Sequence, residues 1–399
     1  MNTHEFVATS TRGVEKVLAQ ELTTLGVDTM TEERGAIRFS ASLATAYRVC
    51  LWSRIASRVL LVLQSFPAPD ADALYDGVRA IAWSDHLSHR QTLAVDFVGA
   101  SPTIRNSRFG ALKAKDAIVD SIRHHGGARP NVDLRHPDVR VNVYLARDVA
   151  TVSIDLSGPP LHHRGYGRQG LESPLKENLA AALLWMVDWP ALAKDETPLL
   201  DPMCGSGSFL IEAAGIALDI AAGTDRTRWG FDQWLGHDRE LWQELRNEAK
   251  QRRKASRKRK VQISGSDVHP GTVDAARLNA RRAKVDAVVD IEVRGFDTVE
   301  PLVQGNKPPC GLLVTNPPYG LRSGQEQELG ALYSSIGDRL RHLFLGWKAG
   351  ILVGEPSLAK RIGLKADRRH VVHNGPIECR FLLYTISSNP VVGRGPGWR

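Results

Sequence analysis

The C-terminal part of this 399-residue chain alternates strand-like and helix-like segments, and few folds accommodate that alternation. A helical stretch over Pro174–Met186 precedes a short apolar strand at Pro198–Asp201, and a second helix opens near Ser208. β-Branched runs follow at Val261–Asp267, Val288–Val293, Leu312–Asn316 and Ala349–Val353, with helical patterns at Gly271–Lys284 and Leu329–Phe344 between them. Strands joined through helices pair in parallel, so the expected class is α/β, with a Rossmann-like, mostly parallel, doubly wound sheet. Such a sheet binds its ligand beyond the C-terminal ends of its strands.

Chemistry-bearing residues gather at those ends. The first strand runs into Asp201-Pro202-Met203-Cys204-Gly205-Ser206-Gly207 just before a helix. Glycines there let backbone amides approach a ligand, and the helix N-terminus favours an anionic group, although a tight strand-to-helix turn needs glycine for steric reasons anyway. The next strand ends at Asp267, which suits the two hydroxyls of a ribose, or simply caps the following helix. Asp297, past the third strand, suits an adenine amino group; taken alone it is an exposed loop carboxylate. Three carboxylates in series point to a nucleoside cofactor, S-adenosylmethionine, with Asp201, Met203, Cys204, Gly205, Gly207, Asp267, Asp297 and Asn316 as its candidate contacts.

The fourth strand leads into Asn316-Pro317-Pro318-Tyr319, the candidate catalytic residues. An exocyclic base amine is a poor nucleophile because its lone pair is delocalised into the ring. The Asn316 side-chain oxygen and the Pro317 carbonyl can hold its hydrogens, the prolines fix φ, and Tyr319 offers a face for a base taken out of its stack. Methyl transfer from a sulfonium needs no metal, and no His, Cys or Asp cluster has metal-ligand spacing, so no metal is expected.

The N-terminal half reads as α+β. Residues 11–26 suit an amphipathic helix, Ala36–Ala41 a strand, Ala44–Ser57 a helix and Val59–Gln64 a strand. Thr92–Val98 suits a strand and Phe109–Arg123 a helix ending at Gly126-Gly127; a hairpin follows, from Val139 to Leu156 about Arg147-Asp148. Ser157–Ser173, rich in Gly, Pro and Arg, reads as a linker, in which His162 and His163 are expected to be exposed. The expected division is therefore 1–65, 66–157, a linker over 158–173, and 174–399.

No apolar run is long enough to span a bilayer and Met1–Phe6 lacks a signal layout, so a cytoplasmic location is expected. Four scattered cysteines argue against a disulfide framework or a structural zinc site. A net charge of +8 points to a polyanionic partner. Between residues 250 and 260, Lys250, Arg252, Arg253, Lys254, Arg257, Lys258, Arg259 and Lys260 place eight cations in eleven residues, downstream of Trp229, Trp234 and Trp242. A charge run is usually a solvated helix face; beside the other features it reads as a phosphate-binding, salt-sensitive RNA contact.

Thr11-Arg12-Gly13, Leu51-Trp52-Ser53-Arg54, Thr103-Ile104-Arg105-Asn106-Ser107, Arg129-Pro130-Asn131-Val132-Asp133, Arg164-Gly165-Tyr166, Leu200–Gly207, Arg228-Trp229-Gly230-Phe231 and Asn316–Tyr319 together resemble the THUMP-containing class I methyltransferases. Within that family the sequence is most similar to the bacterial 23S ribosomal RNA guanine-N2 methyltransferases, which in some bacteria form the N-terminal half of a bifunctional protein. The resemblance implies a ferredoxin-like segment over 1–65, a THUMP RNA-binding domain over 66–157, and RNA contacts from Arg105, Asn106, Lys113, Arg164, Arg252, Arg253, Lys254, Arg257 and Lys258. The stretch from Asp201 to Asp267 far exceeds the ~20 residues usual between a glycine turn and its ribose carboxylate; the family shares that insertion.

The resulting expectation is a monomeric RNA methyltransferase acting on guanine N2 in 23S ribosomal RNA, naked or in a large-subunit assembly intermediate, without the second activity of the bifunctional form. The alternatives are methylation of adenine N6 or another amino nitrogen, or a non-catalytic RNA-binding assembly factor. Guanine over adenine rests on the resemblance.

Overall fold

The computed structural model of the protein describes residues 3–126, 128–167, 175–256, 259–302, 310–319 and 326–387. The chain forms two compact units. One comprises Met1–Ser10, Ala19–Leu161 and Asp225–Glu248; the other comprises Thr11–Leu18, His162–Thr224 and Ala249–Arg399.

The first unit is built on β1 (His4–Thr9), α1 (Glu15–Thr24, whose first turn belongs to the second unit), β2 (Thr29–Glu33), β3 (Ala36–Ala41), α2 (Leu43–Trp52), β4 (Arg58–Pro67), α3 (Ala71–Arg79), β5 (Thr92–Gly99), α4 (Ser107–Gly126), β6 (Asn131–Val132), β7 (Val139–Ala146) and β8 (Val149–Asp155). They make one eight-stranded sheet in the order β2-β3-β1-β4-β8-β7-β5-β6. Alternation sets its inward face: Val139, Val141, Val143 and Leu145 of β7 are buried, as are Val152 and Ile154 of β8. The β7–β8 turn is Arg147-Asp148, both at positive φ (51° and 57°), which matches the hairpin expected there.

α2 stops at Trp52, five residues before the expected Ser57. The buried Glu21 carboxylate accepts from the Ser53 hydroxyl (2.6 Å) and from the Arg54 and Ile55 amides (2.8 and 3.3 Å). A distant carboxylate thus takes the amides that would have continued the helix. β1, β2 and α3 also escape the hydrophobic pattern; β2 is largely polar and exposed, and α3 is short but capped by Asp70, which accepts from the Asp72 and Ala73 amides.

Asp225–Glu248, which the sequence places in the C-terminal domain, groups with this first unit. Its aromatics pack on Tyr47 of α2: Tyr47 lies 4.5 Å from the Phe231 ring and 5.8 Å from Trp242, and Trp229 stacks on Phe231 at 5.6 Å. Trp229, Trp234 and Trp242 are all buried, so these rings form a core and do not offer stacking faces to RNA.

The second unit contains α5 (Glu177–Met186), α6 (Trp189–Leu192), β9 (Leu199–Asp201), α7 (Ser208–Ala217), the end of α8 (Arg239–Ser256), β10 (Ile263–Asp267), α9 (Pro270–Arg282), β11 (Val289–Val293), β12 (Leu312–Thr315), α10 (Glu326–Leu343), β13 (Lys348–Val353), α11 (Pro356–Arg361), β14 (Arg368–Asn374) and β15 (Ile377–Thr385). Its seven-stranded sheet runs β11-β10-β9-β12-β13-β15-β14. β9 to β13 pair in parallel, and β15 is antiparallel to both β13 and β14. Strand order reverses at β9, between β10 and β12, the position where an open α/β sheet forms its crevice. The α/β expectation holds, with a terminal hairpin, β14–β15, that the pattern of 349–353 did not extend to.

Candidate functional site at the sheet's C-terminal edge

β9 delivers the chain to a turn whose shape depends on two glycines. Gly205 (φ 52°) and Gly207 (φ 84°) occupy the left-handed region, and Gly207 is the N-terminal cap of α7. The turn is stitched to the neighbouring strand: the Cys204 amide donates to the Ser266 carbonyl (2.9 Å) and the Gly205 amide to Asp267 Oδ2 (3.2 Å). Asp267 Oδ1 accepts from the His269 amide (3.0 Å), so this carboxylate links the glycine turn to the start of α9.

A cavity of about 670 Å³ opens beside the turn. Pro202, Met203 and Gly205 line one part; Asp267, Val268, His269, Gly295, Phe296 and Asp297 line the side beyond β10 and β11; Asn316, Pro318 and Ala331, Leu332 and Ser335 of α10 close it. Its volume suits a nucleoside-sized ligand. Of the expected cofactor contacts, Met203, Gly205, Asp267, Asp297 and Asn316 are on its wall, and Asp201, Cys204 and Gly207 are not.

The reasons are local. Asp201 is 1% exposed and accepts the Met203 amide (3.2 Å), so it supports the turn from beneath. Burial pushes its carboxyl up to about 7; the Met203 hydrogen bond pulls the other way, and the nearby Asp267 charge adds to the rise. Cys204 is buried against Gly265, and Gly207 backs onto Ala276 of α9. Val268, His269, Phe296 and the three α10 residues were missed. Phe296 adjoins the noted Asp297, whereas α10 carries no local sign that it faces a ligand.

β12 is buried throughout and carries Asn316 to the cavity. The Asn316 Oδ1 atom is buried and has no hydrogen-bond partner among the described residues, an expensive state for a polar group that a donor from a ligand would relieve. Pro318 lines the cavity; Pro317 is buried. Tyr319 does not line it: its hydroxyl accepts from Asn374 Nδ2 (2.9 Å), and burial pushes that hydroxyl up to about 12.

The candidate RNA contacts differ in availability. Arg164 is buried and paired with Glu212 of α7 (3.4 Å), which also accepts from the Tyr166 hydroxyl (3.0 Å), so Arg164 is an interior anchor and not a solvent-facing cation. Arg252 makes a two-pronged pair with Asp219 (2.9 and 2.8 Å). Arg253 is half-buried, Lys254 is exposed, and Arg257 and Lys258 lie outside the described residues. In the first unit, Arg105 donates to the Pro102 carbonyl (3.0 Å), Asn106 caps α4 by accepting from the Arg108 amide (2.9 Å), and Lys113 pairs with Asp72 (2.9 Å) above the Tyr75 ring. Among the described residues no group of three or more His, Cys, Asp or Glu side chains is arranged to hold a metal ion, and no helix is long and apolar enough to cross a membrane.

Strand order, glycine turn and strand-end carboxylates define a class I methyltransferase fold. The chain belongs to the family described as RMKL-like methyltransferase domain, matched over residues 164–382, with a THUMP domain over 68–155 and an RlmL ferredoxin-like domain over 5–60. It is 46% identical over 389 residues to the ribosomal RNA large subunit methyltransferase K/L of Syntrophotalea carbinolica, which covers 98% of this chain and 54% of the relative. The proteins of that name from Pseudomonas putida and Pseudomonas aeruginosa are 46% and 45% identical. The chain thus spans about half the length of the curated relatives it matches. Among solved structures, SMU.472 in complex with SAH is 31% identical, with a TM-score of 0.85 over 98% of this chain and 100% of that one.

S-Adenosylmethionine is the cofactor that a class I methyltransferase fold implies, and the residues present fit it. A Cβ at Gly205 would meet nothing within 4 Å, which leaves a backbone cradle open to the ligand, and Asp267 and Asp297 stand at successive strand ends on the cavity wall.

Proposed function

We propose that this chain transfers the methyl group of S-adenosylmethionine to the exocyclic N2 of a guanine in 23S ribosomal RNA. The observation that carries the reading is the buried Asn316 Oδ1 at the cavity, without a partner among the described residues and so an acceptor open to an N–H donor. The relatives' name supports a large-subunit ribosomal RNA substrate, and guanine N2 follows from the family resemblance.

Asp267 orients the ribose and Asp297 the adenine, while Met203, Gly205 and Asn316 border the methionine end. Asp201, Cys204 and Gly207 shape that turn from behind. The cofactor supplies an activated methyl on a sulfonium. Asn316 Oδ1 accepts one amine hydrogen and the Pro317 carbonyl the other, which orients the nitrogen lone pair toward that carbon; the prolines hold both acceptors still. With the cofactor bound, sulfur would be the leaving group as nitrogen takes the methyl, and the surplus amine proton would pass to solvent. The exposed cations of the 250–260 run and of the first unit hold RNA phosphates.

The test incubates wild type and Asn316→Ala with labelled S-adenosylmethionine and under-modified 23S ribosomal RNA, followed by nucleoside mapping. Loss of one preorganised acceptor is expected to lower kcat by about 10²–10³, with label in N2-methylguanosine. Equal incorporation by both proteins overturns the catalytic assignment. Label in N6-methyladenosine overturns guanine, and no incorporation by wild type favours an RNA-binding assembly role.

A further inference from the structure

The Asn-Pro-Pro backbone is rigid, but nothing in it fixes the Tyr319 side chain. Contacts from elsewhere in the sheet do. The Asn374 Nδ2 atom, at the tip of the β14–β15 hairpin, donates to the Tyr319 hydroxyl at 2.9 Å, and the Cys379 thiol lies 3.9 Å from the same oxygen. The ring meanwhile lies on Gly354, directly after β13: a Cβ there would fall 2.2 Å from ring Cδ2 and 2.4 Å from Cε2. Gly354 is not among the glycines at positive φ, so backbone conformation does not call for glycine at this position; room for the ring does.

A phenol held at its para oxygen and bedded along its edge has lost the freedom of both χ angles before any base arrives. Both holding groups come from the end of the sheet, more than thirty residues beyond the loop they steady, and neither Asn374 nor Gly354 lines the cavity. We propose that Asn374 is a positioning residue for methyl transfer: through the Tyr319 hydroxyl, and with Gly354 beneath the ring, it sets the orientation of the aromatic side chain that supports the target base. This inference rests on the proposed methyl transfer to a base amine and on the reading of Tyr319, whose ring lies off the cofactor cavity, as the face that takes the base once it leaves its stack.

The experiment is a double-mutant cycle on the full chain, measuring kcat and KM on under-modified 23S ribosomal RNA with S-adenosylhomocysteine affinity as a control for folding of the site. Asn374→Ala and Tyr319→Phe are each expected to lower kcat about three- to tenfold, the worth of one hydrogen bond, with S-adenosylhomocysteine affinity unchanged. The double variant is expected to match Tyr319→Phe, because losing the hydroxyl already removes the Asn374 contact. Asn374→Leu, which keeps the volume and lacks the donor, is expected to behave as Asn374→Ala. Losses that multiply in the double variant, or wild-type kcat in Asn374→Ala, overturn the positioning role. Tyr319→Ala separates the two readings: full activity there removes the base-supporting role of Tyr319 itself, whereas a severe loss alongside an unaffected Asn374→Ala removes Asn374 alone.

Discussion

At the scale of single residues, Asp201 is a strand-end carboxylate that lies off the cavity wall. Buried under the glycine turn, with its carboxyl pushed up to about 7, it keeps a proton in the folded protein that an unfolded chain has released above pH about 4. The folded state therefore binds more protons between these values. Its contribution to stability is full below pH about 4 and is lost as pH rises toward 7. Asp201→Asn is expected to remove this dependence, so the stability of wild type relative to the variant should decline across that window. Chemical denaturation at several pH values checks it, and a pH-independent difference between the two proteins contradicts it.

At the scale of elements, the glycine turn works only while α7 stays seated on β10. Gly265 provides that seat: a Cβ there would lie 2.3 Å from Leu210 Cδ1 of α7 and 3.2 Å from Cys204 Cβ. Gly265→Ala is expected to cost about 1–3 kcal/mol by overpacking and to weaken S-adenosylhomocysteine binding as α7 shifts; calorimetry and thermal melting measure both, and unchanged affinity argues against a rigid seat. The sequence disclosed the strands at Ala36–Ala41, Val289–Val293 and Leu312–Thr315 because each is a clean β-branched or alternating run with polar flanks. β14 escaped because its edge position leaves Arg368, Arg369, His370 and His373 in a polar stretch that resembles a loop. That Asp267, Asp297 and Asn316 border one cavity was legible from their place at strand ends. Arg164, Asn374 and Gly354 were misread or unseen because their partners, Glu212 and Tyr319, lie tens of residues away, beyond the reach of any local pattern.

At the scale of the whole molecule, the basic run separates into structural and available charge. Arg252 is engaged by Asp219 beside α7, and Lys254 is exposed. Arg252→Ala is expected to lower stability by about 1 kcal/mol, whereas Lys254→Ala should leave the melting temperature unchanged and weaken RNA binding, reducing the salt dependence by about one phosphate contact. Filter binding across a salt series distinguishes them, and identical slopes for wild type and Lys254→Ala remove Lys254 from the RNA surface. The same scale gives meaning to the way the chain is shared between units. Thr11–Leu18 serves the unit that carries the candidate site, where Gly13 approaches the Val371 carbonyl of β14 so closely that a Cβ would sit 2.0 Å from it, and Asp225–Glu248 returns to the other unit to complete its aromatic core. Each unit borrows a piece of sequence from within the other's span. Gene shuffling that cuts once, at the Gly- and Pro-rich stretch after residue 157, would leave both products incomplete, one without Asp225–Glu248 and the other without Thr11–Leu18.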